Sequence, residues 1–167
     1  MKVLVVDDDA MQRMLLADLI KGLAKVDIVE AADGDAAWQE LRNGLYPVLC
    51  CCDIRMPRMS GIELLEHVKS RSTLADMPFI FVTAATDRTT IQQAIMSGAT
   101  MYLLKPFDLP KVRPRLEKLF RVIGNRYREE PAATQERLGV SPERLLDYLA
   151  GLKQKVADWL KVAAASH

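Results

Sequence analysis

The sequence predicts an α/β protein with a doubly wound, five-stranded parallel sheet and helices on both faces. Five short apolar runs recur along the first 105 residues, and stretches with apolar residues at helical spacing separate them. Several of these runs are apolar at almost every position, which is typical of strands covered on both faces. Strands that alternate with helices of this length imply right-handed crossovers and a parallel sheet.

The five apolar runs are the predicted strands, and each is short enough for a strand buried in such a sheet. Their predicted bounds are Lys2–Val6, Asp27–Ala31, Val48–Cys52, Phe79–Val82 and Met101–Leu104.

The segments between and after these runs predict five helices. The first has apolar residues at helical spacing: Met11, Leu15, Leu16, Leu19 and Ile20. The next three are GDAAWQELRNG, GIELLEHVKS and DRTTIQQAIMSG. Gly44 and Gly98 end the second and fourth helices, and Leu109–Gly124 forms the fifth, which could run on towards Arg128.

The composition is that of an ordinary globular chain. Half of the 167 residues are apolar, 27% are charged and the formal net charge is +1, so the overall charge does not favour nucleic acid or a membrane surface. No apolar run approaches the roughly 20 residues that cross a bilayer, and MKVLVV is too short for a signal peptide. Cys50, Cys51 and Cys52 are adjacent in one strand, which predicts buried, reduced thiols in a cytoplasmic protein.

Three consecutive aspartates follow the first strand. Asp7, Asp8 and Asp9 place like charges close together, and each pair at about 4 Å costs on the order of 4 kcal/mol at an effective dielectric near 20. A proton, a basic side chain or a metal ion must offset this repulsion.

Other strands also end in residues that carry chemistry. The third strand leads to Asp53, the fourth to Thr83, and the fifth to Tyr102 and then Lys105-Pro106. Because the carboxyl ends of parallel strands share one edge of the sheet, these side chains should converge there. Clustered carboxylates suit magnesium (Mg2+), which acts as a Lewis acid for a phosphoryl oxygen, and Asp53 can serve as a carboxylate nucleophile.

Each residue taken alone has a simpler interpretation. Acidic residues after a strand commonly cap the next helix, and Asp9 is expected to do part of that work. Asp53 alone would be a turn former, and Lys105 alone a surface lysine. The joint pattern at the ends of successive strands favours a functional site.

Four motifs support a resemblance to a known family. VLVVDDD, DIRMPRMSG, FVTAA and YLLKPF occur in this order within residues 1–125. This region resembles the receiver (CheY-like) domain of bacterial two-component response regulators. The resemblance implies a flavodoxin-like fold with strand order 2-1-3-4-5 and phosphoryl transfer from a sensor histidine kinase or a phosphotransfer protein.

The resemblance also implies roles for individual residues. Asp53 would be the phosphoacceptor. Asp7, Asp8 and Asp53, with the backbone carbonyl of Arg55, would hold Mg2+. The domain would assist its own phosphorylation and dephosphorylation without being an enzyme in the usual sense.

The remaining implied roles concern the response to phosphorylation. Thr83 would hydrogen-bond the phosphoryl group and Lys105 would pair with its oxygens. A cis bond before Pro106 would aim the Lys105 amine inward, and Tyr102 would be the switch aromatic. The surface of the fourth helix, fifth strand and fifth helix would change and could bind proteins or a second copy.

The last forty residues predict a helical extension. Residues 126–140 form a linker or short helix, and 141–167 an amphipathic helix with Ser141 as its N-cap. Its apolar seam has spacings of 4, 3, 4 and 3: Leu145, Leu149, Leu152, Val156 and Trp159. This seam would pack on the receiver itself, on a partner or in a homodimer, or begin a longer signalling helix.

Two alternatives remain open for the function. Residues 133–153 could form a helix-turn-helix that binds DNA, although Glu143 and Asp147 would repel phosphates near the front of its second helix. A phosphotransferase of the haloacid dehalogenase kind would use Asp7 and Asp9, but Met11 stands where that class has a threonine.

Overall fold

One parallel sheet of five strands organises the chain. The computed structural model describes residues 1–126, 141, 144, 150 and 151. The elements in chain order are β1 (Lys2–Val6), α1 (Ala10–Leu23), β2 (Asp27–Ala31), α2 (Gly34–Arg42), β3 (Leu49–Cys52), α3 (Gly61–Ser70), β4 (Phe79–Thr83), α4 (Arg88–Met96), β5 (Met101–Leu104) and α5 (Leu109–Arg126).

The strand order is β2-β1-β3-β4-β5, and every pair is parallel. The predicted fold class and strand order are therefore confirmed. Several element bounds differ from the sequence prediction by one or two residues, and α2 and α4 end two residues before Gly44 and Gly98. β3 begins at Leu49, one residue later, although the Val48 N–H still donates to the Lys2 carbonyl at 2.9 Å. β4 extends to Thr83, which pairs with Leu104, and α5 continues past Gly124 to Arg126.

The two faces of the sheet bury separate apolar layers, because alternate strand residues point to opposite sides. α1 and α5 cover one face, whose strand residues are Val3, Val5, Leu49, Cys51, Ile80, Val82 and Leu103. α2 and α3, with Ala94 of α4, cover the other face, whose buried strand residues are Leu4, Val6, Ala31, Cys50, Cys52, Phe79 and Phe81. α4 buries only Ala94, so it is the helix held least by the core.

Polar residues begin four of the helices. Asp9, Asp33, Ser60 and Asp87 have extended backbones, and each side chain accepts a hydrogen bond from an N–H of the first helical turn. The prediction that Asp9 caps a helix is confirmed, because its carboxylate accepts from the N–H groups of Met11 and Gln12. The caps Asp9 and Asp87 thereby fix the starts of α1 and α4 a few residues after Asp8 and Thr83.

The described part of the C-terminal extension contains four residues. Ser141 accepts a hydrogen bond from the Arg144 N–H at 3.4 Å, as the N-cap of a helix would. Arg144, Ala150 and Gly151 are helical. The predicted seam lies outside the described residues, as does most of the segment proposed as a helix-turn-helix, so both stay predictions, together with the domain bounds.

The three cysteines lie within the sheet. Cys50, Cys51 and Cys52 are at most 1% exposed, and burial raises the pKa of the Cys51 thiol to about 12.

Among the described residues, no helix combines the length and apolar character that a membrane crossing needs.

Candidate functional site

Three carboxylates meet where β1 and β3 end. The two strands pair in register, and the Asp53 N–H donates to the Val6 carbonyl at 2.9 Å. This register brings together Asp7, Asp8 and Asp53, whose nearest carboxylate oxygens all lie within 4.8 Å of one another. Asp7 is buried, Asp53 is half-buried and Asp8 is exposed. The predicted convergence of the strand ends therefore holds for these residues.

The Lys105 ammonium neutralises part of this cluster. Its Nζ lies 2.5 Å from Asp7 Oδ2 and 3.2 Å from Asp53 Oδ2. Its backbone N–H donates to the Thr83 carbonyl at 2.9 Å, and the Lys105–Pro106 peptide bond is cis. Lys105 follows β5, and its side chain reaches past β4 to contact the carboxylates that follow β1 and β3.

Burial and charge shift the pKa values of this pair. Burial raises the pKa of Asp7, although the hydrogen bond from Lys105 opposes the shift. Burial lowers the pKa of Lys105, but the hydrogen bond and charge of Asp7 and the charge of Asp53 outweigh it, so the pKa lies above its ordinary value. The ammonium form of Lys105 is therefore favoured inside the site.

The loop after Asp53 holds that carboxylate in place. Asp53 Oδ1 accepts from the Ile54 N–H at 2.6 Å, which leaves Oδ2 beside Lys105. Gly61, the first residue of α3, donates its N–H to the Ile54 carbonyl at 2.9 Å. A Cβ at position 61 would lie 2.2 Å from the Asp53 carbonyl oxygen, so only glycine allows α3 to start this close to the site.

A short hydrogen-bonded path joins β4 to β5. Thr83 is 1% exposed and its Oγ1 accepts from the Ala85 N–H at 3.2 Å. The Ala85 carbonyl accepts from the Tyr102 hydroxyl at 2.8 Å. Burial, followed by the negative charges of Asp87 and Asp53, raises the pKa of Tyr102 and keeps its hydroxyl protonated as a donor. One residue, Ala85, thus contacts both predicted switch side chains.

Sequence reasoning missed several ion pairs around the site. Arg55 pairs with Asp87, the N-cap of α4, and Arg58 pairs with the buried Asp33, the N-cap of α2. Arg58 has a φ of 67°, an uncommon value for a residue other than glycine. These partners are 32 and 25 residues apart, so only the fold brings them together. The available sequence signal for these pairs was the position of the two aspartates. Each is an acidic residue at the start of a helix, whether or not an arginine also binds it.

The carboxylate cluster fits a magnesium ion. Mg2+ prefers oxygen ligands at about 2.0–2.1 Å in octahedral geometry and keeps several waters. Three carboxylate oxygens within 4.8 Å of one another lie close to the largest ligand separation of such an octahedron, about 4.2 Å, so small side-chain movements would bring them to a common ion. The exposed Asp8 leaves the cluster open to solvent on one side, beside a cavity of about 430 Å³ also lined by Arg55, Met56 and Thr90.

Comparison with known proteins gives the family. Residues 3–117 match the family described as response regulator receiver domain. The chain is a response regulator receiver. Chemotaxis protein CheY of Pseudomonas aeruginosa is 35% identical over 120 residues, which cover 72% of this chain and 96% of that protein. Chemotaxis protein CheY1 of Helicobacter pylori is 31% identical over 117 residues, 70% of this chain and 94% of that protein.

Solved structures of receivers share the fold. A response regulator receiver protein from Pseudomonas putida has a TM-score of 0.63 and 31% identity, over 70% of this chain and 95% of its own. Vibrio cholerae chemotaxis protein CheY4 has a TM-score of 0.62 and 27% identity, over 71% of this chain and 97% of its own. The receiver thus belongs to two-component signalling, in which CheY-like domains interact with histidine kinases or phosphotransfer proteins and are not enzymes of the classical kind.

Proposed function

We propose that this receiver accepts a phosphoryl group on Asp53 and thereby switches the surface formed by α4, β5 and α5. The observation that carries the proposal is the contact of one ammonium, Lys105, with both Asp7 and Asp53 beside the third carboxylate, Asp8. An Asp53 oxygen attacks the phosphorus of a phosphohistidine or a small phosphoryl donor. The new P–O bond forms as the donor's bond to phosphorus breaks, and hydrolysis later releases phosphate.

The acidic cluster would hold Mg2+ through Asp7, Asp8 and Asp53, with the Arg55 carbonyl as a further oxygen ligand. When bound, the ion supplies Lewis-acid stabilisation of a phosphoryl oxygen. Lys105 would then pair with another oxygen of the same group, because phosphorylation converts the carboxylate it contacts into an acyl phosphate with a charge of about −2. The half-buried position of Asp53 leaves room for a donor to approach from the solvent side.

The switch would use the path through Ala85. A phosphoryl group on Asp53 gives the Thr83 hydroxyl a charged acceptor for its proton, and movement of the side chain towards that acceptor would lengthen the hydrogen bond that Oγ1 now accepts from the Ala85 N–H. Movement of the 83–85 segment releases the Ala85 carbonyl from the Tyr102 hydroxyl, so the ring can turn inward. Thr83 and Lys105 would bind the phosphoryl group in only one of the two conformers, and an interaction made in one conformer alone is what shifts a population.

The predicted output surface has the character of a protein-binding face. The exposed large apolar side chains of α4, β5 and α5 are Ile95, Met96, Leu104, Leu109 and Val122. Because α4 buries only one residue, little core packing opposes its movement. A second copy or another protein would bind here, in the cytoplasm, where reduced thiols such as the buried Cys50–Cys52 persist.

The two alternatives have less support. Asp9 uses its carboxylate to cap α1, so it is engaged where a haloacid dehalogenase enzyme would need it for chemistry. DNA binding rests on residues 133–153, of which the structure describes only four. Salt-dependent retardation of duplex DNA by the full chain would favour that function.

Phosphorylation with acetyl phosphate tests the proposal. We expect the wild-type chain to gain one phosphoryl group in the presence of magnesium, as measured by intact mass, and to bind beryllofluoride. Asp53→Asn should abolish both responses, whereas Asp18→Asn, at an exposed position on α1, should retain them. Full incorporation by Asp53→Asn would show that the acceptor is another residue.

A further inference from the structure

A second contact region lies at the opposite end of the strands from the carboxylate cluster. Tyr46 precedes β3, and residues 70–73 run from the last residue of α3 towards β4. Both segments therefore lie at the amino ends of the strands, whereas the candidate site lies at their carboxyl ends. Of the described residues of the C-terminal extension, Arg144, Ala150 and Gly151 lie against these segments.

The closest approach is between Gly151 and the ring of Tyr46. A Cβ at position 151 would lie 2.8 Å from Tyr46 Cε1 and 2.9 Å from Cδ1, closer than real Cβ contacts allow. The helical glycines Gly22 and Gly124 differ, because an added Cβ there meets nothing within 4 Å. A glycine inside a helix costs about 1 kcal/mol relative to alanine, so its presence at 151 is best explained by the ring that lies against it.

A polar cavity extends this contact along the helix. It has a volume of about 360 Å³ and its described lining residues are Tyr46, Ser70, Arg71, Ser72, Thr73, Arg144 and Ala150. Arg144 and Ala150 come from the extension and the others from the receiver. Thr73 is 9% exposed and Tyr46 packs against the hydrophobic core, so the receiver side of this contact belongs to the packed part of the domain.

We infer that Tyr46 and residues 70–73 form a docking surface for the chain's own C-terminal helix, with Gly151 as the residue that permits close contact. The helix is held in cis, on the edge remote from the phosphoacceptor. The docked residues therefore do not cover the carboxylate cluster, which lies at the other end of the strands. This goes beyond the proposed function and does not depend on phosphorylation.

A cysteine pair tests the docking in the full chain. The Tyr46 Cγ lies 3.4 Å from the ideal Cβ of residue 151, so the Cβ atoms of the two positions are about 5 Å apart at most, close to disulfide range. The native thiols are at most 1% exposed and do not compete. We expect Tyr46→Cys with Gly151→Cys to form an intramolecular disulfide under mild oxidation, seen as a faster-migrating monomer on a non-reducing gel.

Matched variants separate docking from chance collision. Tyr46→Cys with Gly124→Cys should leave both engineered thiols free, and Asp53→Asn in the first pair should not change its cross-linking. A chain that keeps its thiols free at 46 and 151, or that forms mainly covalent dimers at low protein concentration, would overturn docking in cis.

A second variant tests the role of Gly151 without cysteine chemistry. Gly151→Leu should speed amide hydrogen exchange in peptides covering 141–151 and 43–48, because the side chain cannot share space with the Tyr46 ring. Gly124→Leu gains the same helix propensity in open space and should leave exchange in these peptides unchanged. Equal, slow exchange in both variants would contradict the proposed contact.

Discussion

Replacing Lys105 with methionine isolates the contribution of its charge. The variant keeps the length of the apolar stem but removes the ammonium that contacts Asp7 at 2.5 Å and Asp53 at 3.2 Å. Two carboxylates then remain close together with no neutralising group. Breaking a buried ion pair by removing one partner costs about 3–5 kcal/mol, and we expect about 3 kcal/mol here because Lys105 and Asp53 are slightly exposed.

The same substitution should strengthen magnesium binding. A magnesium ion bound to Asp7 and Asp53 would lie about 5 Å from the Lys105 Nζ, given ligand distances of about 2 Å. At that separation the ammonium and a doubly charged ion repel by about 1.7 kcal/mol even at the dielectric of water. Removal of the ammonium should therefore lower the Kd for magnesium somewhat more than tenfold.

Urea unfolding and magnesium titration test both expectations. In EDTA, Lys105→Met should lose about 3 kcal/mol of unfolding free energy, and millimolar magnesium should restore most of it by binding only the folded state. Lys111→Met, at an 83% exposed lysine, is the control and should change neither quantity. A Lys105→Met protein with wild-type stability in EDTA and unchanged magnesium affinity would refute this electrostatic reasoning.

Two further predictions concern α3 and α5. Gly61→Ala should destabilise the domain by about 1–3 kcal/mol, because the new Cβ would meet the Asp53 backbone. Gly124→Ala should stabilise the domain by about 0.5–1 kcal/mol, because its Cβ would lie in open space. Thermal melts that shift both variants in the same direction would be inconsistent with this assignment. Hydrogen bonds with the Ser60 backbone and side chain lower the pKa of Glu63 from its ordinary 4.5, so its stabilising contribution is complete above pH 4.5 and is lost as the pH falls through the folded-state value. Glu63→Gln should flatten the stability profile in this range, and an unaltered profile would exclude the capping role.

The features predicted from sequence depend on residues close together in the chain or on the common edge of a parallel sheet. The strand runs are unbroken because both faces are covered, and the capping residue Asp9 lies beside the helix it starts. The convergence of Asp7, Asp8 and Asp53 follows from topology, since β1 and β3 are neighbours. None of these inferences needs side-chain detail.

The missed features depend on pairing between distant residues. β4 reaches Thr83 because that residue pairs with Leu104, and the apolar run alone ends at Val82. The Arg58–Asp33 pair and the approach of Gly151 to Tyr46 join segments with no shared sequence pattern. Such contacts depend on how the helices pack on the sheet. Short-range hydrophobic periodicity in the sequence does not determine that packing.

The two oxygens of Asp87 have separate tasks. Oδ1 pairs with Arg55, two residues after the proposed acceptor, while Oδ2 accepts from the Thr90 N–H at 2.9 Å. If Arg55 turns towards a newly arrived phosphoryl group, the start of α4 still keeps its cap. A movement of α4 would then leave the hydrogen bond of its first turn in place.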